Sequence, residues 1–351
     1  MSRGTAHISE MPDPGAPNTP LQSTPEALLT QARRLDVAGH QKQALWVRFL
    51  AVTGAQHKGL WTSAKNTPES IMSDVVDAIA QVRDQRREIY RLSYEPLREV
   101  HGPSALARVD RALLTYLRET SPTPLDARQR PRFLYMPDLP SRPYMDPEEQ
   151  PWAGQLRESF AEMRVEALDL IAQDWPLEDF VRVKSGDNIG RYLGGTEPAW
   201  EAYFFYRHGI RYDDNHARCP LTSKTLESLH LCRIPGHAPE ACFSVLKPGT
   251  KILPHFGVTN TRAVMHLPLI VPPGCALNII GVGEHHWREG ELVMFDDTFE
   301  HEAWNNADSP RVILLMDCWH PDLTPVEQQA ISRLIETIAA LHLSARAAAA
   351  T

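Results

Sequence analysis

The sequence predicts an α+β protein: a helical N-terminal region, then a sandwich or jelly roll of short strands. Three observations carry this. Apolar residues recur at helical spacing through residues 24–120, and eight prolines crowd residues 121–152. From about Trp200 to His320, short aliphatic or β-branched runs alternate with Gly and Pro. At 351 residues the chain suits two compact domains, or one large domain with a helical extension. Its 42% apolar and 23% charged residues exclude wholesale disorder.

Residues 1–23 are rich in Pro, Gly, Ser and Thr and lack the apolar core of a secretion signal. A disordered tail and a cytoplasmic protein are expected. Within 24–120, Leu28, Ala32 and Leu35 form one stripe, and Ala44, Leu45, Val47 and Leu50 begin another after Gly39-His40. The pair looks like one helical hairpin of a tetratricopeptide-type (TPR-like) solenoid, but such a solenoid needs about three units and the sequence offers one copy. A helical bundle is the better fit, continued by helices over Pro68–Val100 and Ser104–Glu119. Residues 121–152 read as an extended connector, because proline removes backbone donors and fixes φ.

Residues 153–323 form the strand-rich domain, opened by an amphipathic helix over Gln155–Ala172. Strands are expected at Glu240–Leu246, Val264–Val271, Ala276–Ile280, Glu291–Phe295 and Val312–Asp317. Pro248-Gly249, Pro272-Pro273-Gly274, Gly281, Gly283 and Gly290 punctuate them, a spacing that suits a sandwich or jelly roll. In 324–351, Thr324 is a good N-cap and Pro325 a good first residue for a C-terminal helix.

Lys and Arg number 36 against 44 Asp and Glu, a net charge of −8 with no basic run. That argues against nucleic acid or an anionic membrane surface as a partner. No stretch approaches the roughly 18 apolar residues of a membrane helix. Cys219, Cys232, Cys242, Cys275 and Cys318 are odd in number and lack CxxC spacing, so neither a disulfide framework nor a zinc site is expected. Gly281-Val282-Gly283 is not followed by a helix, which excludes a dinucleotide fingerprint.

Ten of the 15 histidines fall between His208 and His320. Alternate residues of a strand point into a jelly-roll interior, so His255 and His301, 46 positions apart on separate strands, can converge on one ion. Arg311, ten residues after His301, opens the next strand and can clamp a carboxylate with its planar fork. This is the logic of non-haem iron oxygenases that use 2-oxoglutarate, whose usual site has two histidines and a carboxylate. The carboxylate normally stands two residues after the first histidine; here that residue is Gly257, which cannot ligate.

The segment Ser244–Pro321 closely resembles the catalytic domain of the aspartyl/asparaginyl β-hydroxylases. The likeness is carried by Pro248–Thr250, Pro254–Gly257, Met265–Leu267, Phe295–Trp304 and Asp317–Pro321, and extends weakly back to about Phe133. The family is known for binding iron through two histidines without a carboxylate, in agreement with Gly257. The resemblance implies a double-stranded β-helix (jelly roll) with His255 and His301 as iron(II) ligands and Arg311 pairing with the distal carboxylate of 2-oxoglutarate. It places Ser244, His266 and Trp200 as further cosubstrate contacts. The family's animal members carry an arginine where this chain has Val264; Arg262, on the same strand face, is a candidate substitute.

The implied activity is iron(II)- and 2-oxoglutarate-dependent hydroxylation, with O2, of the β-carbon of an aspartyl or asparaginyl residue. The substrate would be a protein, a peptide or a carrier-bound amino acid. Two alternatives stand beside it: a halogenase with chloride in the position that Gly257 leaves open, and a non-catalytic binding protein. A lone strand histidine more often satisfies a core hydrogen bond than a metal, and a buried arginine can be half of a structural ion pair. Asp296 and Asp297 read as turn residues that orient the strand before His301, His285-His286 as a surface loop, and His320 as structural.

Overall fold

A helix begins where a side chain can satisfy its first backbone donors, and α1 (Pro25–Val37) shows this: Thr24 Oγ1 accepts from Ala27 N at 3.3 Å, with Pro25 at the first position. The computed structural model describes residues 23–173, 175–181, 192–195 and 199–350. The expected tail, apart from residue 23, lies outside them. Two compact units are present: one spans 121–328, and the other 23–120 with 329–350.

The helical unit contains α1, α2 (Gln41–His57), α3 (Met72–His101) and α4 (Ala107–Tyr116), plus most of α9 (Pro325–Ala350). Leu28, Ala32, Ala44, Val47 and Leu50 are buried, as their spacing requires, and the Phe49 ring meets His342 of α9 at 4.8 Å. After the α1–α2 hairpin comes one 30-residue helix and not a second hairpin copy. Among the described residues no helix is long and apolar enough to cross a membrane.

The other unit opens with residues 121–152, which run extended but are pinned along their length. Arg130 N donates to Thr298 O at 2.8 Å and Phe133 N to Val258 O at 2.8 Å. Leu134, Tyr135 and Met136 are buried, so the proline-rich stretch contributes to the packing of this unit. Then follow β1 (Tyr144–Met145), α5 (Ala153–Glu158) and α6 (Phe160–Ala172). The expected single helix is therefore broken at Ser159.

The strands continue as β2 (Glu178–Asp179), β3 (Leu193–Gly194), β4 (Trp200–Arg207) and β5 (Ile210–Arg211). Two short helices interrupt them, α7 (Asp213–Arg218) and α8 (Pro220–Ser228). After them come β6 (Ala241–Leu246), β7 (Lys251–His255), β8 (Arg262–Ile270) and β9 (Cys275–Ile279). The last four are β10 (Gly283–His285), β11 (Val293–Phe295), β12 (His301–Asn305) and β13 (Arg311–Trp319).

Among the described residues one sheet runs β1-β11-β8-β13-β6-β4-β2 with β5 beside β4, and a second runs β10-β9-β12-β7-β3; all their strand pairs are antiparallel. Alternation along the strands sorts side chains into two layers. Phe243, Val245, Met265, Leu267, Leu314 and Met316 pack outward with Leu156, Met163 and Leu170 of α5 and α6. Trp200, Leu246 and Val264 of the first sheet pack inward with Ile252, Ile279 and Ala303 of the second. Two antiparallel sheets closed over an apolar interior make this unit a jelly roll, and the chain as a whole an α+β protein.

Candidate active site

The inward positions of the first sheet carry polar groups on four adjacent strands. His266 on β8, Arg311 on β13, Ser244 on β6 and Trp200 on β4 lie on neighbouring strands, each in phase with inward apolar neighbours such as Val264 and Leu246. Opposite them, the second sheet pairs His301 of β12 directly with His255 of β7, and the two imidazole centroids stand 4.0 Å apart. Backbone register thus brings together two side chains 46 residues apart in sequence.

Each of these histidines is held by its own strand. His255 Nδ1 lies 2.9 Å from Leu253 O, and His301 Nδ1 lies 2.9 Å from Phe299 O. A carbonyl only accepts, so Nδ1 carries the proton in both rings and Nε2 is the lone-pair nitrogen. Fixing one ring nitrogen on a backbone carbonyl is how proteins orient a metal-binding imidazole. Burial lowers both pKa values, well below the usual range for His255, where the neighbouring His301 adds to the effect. Both rings are therefore neutral at pH 7, as metal ligation requires.

Among the described residues no group of three or more His, Cys, Asp or Glu side chains comes together to hold a metal. An ion at this pair would complete its shell with ligands from outside the polypeptide. The donor set fits iron(II): imidazole suits iron, and a two-nitrogen site leaves about four octahedral positions open. At Gly257, where oxygenases commonly place a carboxylate, a Cβ would fall directly on the Asp297 carboxylate. Gly257 N donates to Asp297 O at 2.5 Å, which fixes that approach. Position 257 is glycine because Asp297 fills its side-chain space.

The two aspartates of the turn before β12 differ. Asp296 Oδ1 accepts from Thr298 N at 2.9 Å and Thr298 Oγ1 at 2.5 Å, and its Oδ2 accepts from Gln129 Nε2 at 2.6 Å; burial raises its pKa to about 6. It is the turn residue that the sequence suggests. Asp297 Oδ1 is buried without a hydrogen-bond partner.

Arg311 is 1% exposed, and among the described residues no carboxylate comes within ion-pair distance of it. Burial draws its pKa down to about 10, and its guanidinium lies over the Trp287 ring with Cζ 4.9 Å from the centroid. A charge this buried and unpaired is expensive unless an anionic ligand completes it. His266, its ring 5.1 Å from Phe295, has both nitrogens buried without partners, and burial, reinforced by Arg311, holds it well below its usual pKa. Trp200 Nε1 donates to Ser244 Oγ at 2.9 Å, so these two form one unit on the wall.

Arg262 has partners instead. It is ion-paired with Asp317 and lies 3.7 Å from an Asp297 oxygen. Its charge is committed inside the fold, which removes it as a stand-in for the arginine absent at Val264. His286 is exposed, 3.4 Å from the Glu284 carboxylate, while His285 ends β10 instead of lying in a loop. The five cysteines are free and buried.

The family model described as aspartyl/asparaginyl beta-hydroxylase matches residues 157–321. This segment is similar to the aspartyl/asparaginyl β-hydroxylases. The human aspartate beta-hydroxylase domain-containing protein 2 is 34% identical over 211 residues, covering 58% of this chain and 54% of that protein. Human aspartyl/asparaginyl beta-hydroxylase is 35% identical over 136 residues, 38% of this chain and 17% of that protein. The chain thus spans about half the length of the first of these relatives. Among solved structures, a Pseudomonas putida prolyl-4-hydroxylase covers 46% of this chain and 86% of its own, at 14% identity and a TM-score of 0.26, an overlap too slight to bear on the site.

Within this domain the sequence left two participants unread. Trp287 sits in the glycine-rich stretch after His285-His286, yet it is buried, with the Arg311 guanidinium over its ring. The fit of Asp297 against Gly257 joins residues 40 positions apart and has no local signature.

Proposed function

We propose that the chain is an iron(II)- and 2-oxoglutarate-dependent dioxygenase that hydroxylates the β-carbon of an aspartyl or asparaginyl residue in a protein, a peptide or a carrier-bound substrate. One observation carries this: a pair of neutral, backbone-locked imidazoles lies in the same jelly roll as a fully buried arginine that, among the described residues, has no carboxylate of its own. In the bound state, iron and 2-oxoglutarate supply the oxidation by O2, with succinate and CO2 as coproducts.

The chain's own residues bind and orient. His255 and His301 would hold the metal through Nε2. Arg311 would take the distal carboxylate of the keto-acid in a bidentate grip, whose geometry lysine could not reproduce. Ser244, its oxygen already receiving the Trp200 N–H, keeps its hydroxyl proton to donate to the cosubstrate. Phe295 and Phe299, both buried beside the histidines, exclude water from the reacting centre. No side chain is required to abstract a proton. On the strap beside β7, Arg130 lies over Phe256 with Cζ 5.6 Å from the ring centroid, a cation suited to an acidic peptide.

Asp297 weighs against the halogenase alternative. A halide near position 257 would meet the carboxylate that fills that space, and like charges repel at short range. The unpaired Arg311 likewise weighs against a scaffold without ligand.

The test is to incubate the purified chain with iron(II), ascorbate, 2-oxoglutarate and a panel of aspartyl and asparaginyl peptides, following succinate and product mass. A gain of about 16 Da with succinate supports hydroxylation, whereas about 34 Da identifies chlorination. No succinate with any peptide, and none uncoupled from substrate, overturns the proposal.

A further inference from the structure

Buried donors without acceptors gather at one place in the jelly roll. Arg311 Nε, Trp287 Nε1 and both ring nitrogens of His266 are buried and unpartnered. Their side chains are contiguous: the Arg311 guanidinium lies 4.9 Å from the Trp287 ring centroid, and the Trp287 and His266 rings stand 5.9 Å apart. Trp287 itself is 5% exposed. An indole N–H can only donate, and leaving it unpaired inside a protein forfeits its desolvation with no return. If Trp287 served only to pack, phenylalanine would fill the position without that penalty. Clustered with the unpartnered groups of Arg311 and His266, the position calls for an acceptor that the described residues do not supply.

The stacking geometry indicates which acceptor. The Arg311 guanidinium carbon lies over the indole ring, a cation–π contact that leaves the N–H at the ring edge for a carboxylate. A carboxylate offers about four lone-pair sites, and a bidentate guanidinium uses two. The remaining two match the two further orphan donors, the Trp287 indole and one nitrogen of His266.

We infer that Trp287 is a cosubstrate-binding residue: its indole N–H donates to the same carboxylate that Arg311 grips, while its ring supports the guanidinium cation. This rests on the proposed role of Arg311. The ligand class it selects is a dicarboxylate keto-acid, as opposed to a monocarboxylate one.

Trp287→Phe keeps an aromatic plate and removes the N–H. Isothermal titration of the full chain with 2-oxoglutarate, in the presence of Mn(II) and without oxygen, should show affinity falling about tenfold in W287F. Binding of 2-oxobutanoate, which lacks the distal carboxylate, should be unchanged. Equal affinities of wild type and W287F for 2-oxoglutarate overturn the inference, as does a matching loss for both keto-acids, which would indicate a packing role. If W287F does not fold, Trp287→Leu, which also lacks a side-chain donor, is measured instead and read by the same criteria. Arg311→Met separates the levels. If it too binds 2-oxoglutarate like wild type, the cosubstrate reading of the pocket fails; if only the tryptophan variant does, the inference alone fails.

Discussion

Replacing Arg311 with methionine distinguishes a ligand-binding arginine from a structural one, because the two roles have opposite effects on stability. Burial lowers the Arg311 pKa from its usual value to about 10, a shift of about two pH units or more. At 1.36 kcal/mol per pH unit, holding the charge there costs the protein about 3 kcal/mol. Methionine has similar length and no charge, so the variant escapes that cost. It also loses the contact over Trp287, which at a desolvated site contributes about 1–2 kcal/mol. The ligand-free R311M protein should therefore be more stable than wild type by about 1–2 kcal/mol. Urea unfolding without 2-oxoglutarate measures this. With Mn(II) present throughout, adding 2-oxoglutarate should stabilise wild type further and R311M far less, since a ligand stabilises only the state that binds it. A loss of 1 kcal/mol or more in ligand-free R311M would refute the reasoning, because the guanidinium would then be completing a structural network.

Three further outcomes are expected. Gly257→Ala drives a methyl into the Asp297 carboxylate and should cost about 1–3 kcal/mol; combined with Asp297→Ala most of that cost should vanish, and strictly additive losses in the double-mutant cycle would contradict the packing described. Burial lowers the His320 pKa from 6.5 to about 4, so an unfolded chain gains a proton across that window that the folded chain refuses. Stability should drop by about 2 kcal/mol between pH 7 and pH 5 through this residue, and His320→Asn should remove that part of the slope in urea titrations at the two pH values. Glu166 accepts from Leu221 N at 2.9 Å and from Thr222 N at 2.9 Å and Thr222 Oγ1 at 2.6 Å, at the start of α8. Glu166→Ala should lower the melting temperature by an amount equivalent to about 2–3 kcal/mol, and an unchanged melting temperature would show that the cap is dispensable.

The strands that place the site were legible where their own chemistry marked them. Ala241–Leu246, Arg262–Ile270 and Arg311–Trp319 are long aliphatic runs buried on both faces, and the sequence shows them to within a few residues. Lys251–His255 and His301–Asn305 are shorter and mixed in character, so their strand nature was carried by the family likeness and by register across the sheet. Helices α7 and α8 were missed inside the strand-rich region. Pro220 does mark the start of α8, but its cap is the Glu166 carboxylate, 55 residues away in sequence. Within the site, the histidine pair and Arg311 could be read because a strand alternates its side chains with fixed period. Trp287, the Asp297–Gly257 fit and the commitment of Arg262 to Asp317 could not, since each is a contact between distant segments.

The most direct measurement is an anaerobic titration of metal-free protein with iron(II) and 2-oxoglutarate, followed by the visible charge-transfer absorption of the chelated keto-acid. Wild type should develop the band and saturate at one metal per chain, and the double variant His255→Ala/His301→Ala should develop none. A wild-type protein that gives no band, or a double variant that keeps it, would contradict a metal centre built on His255 and His301.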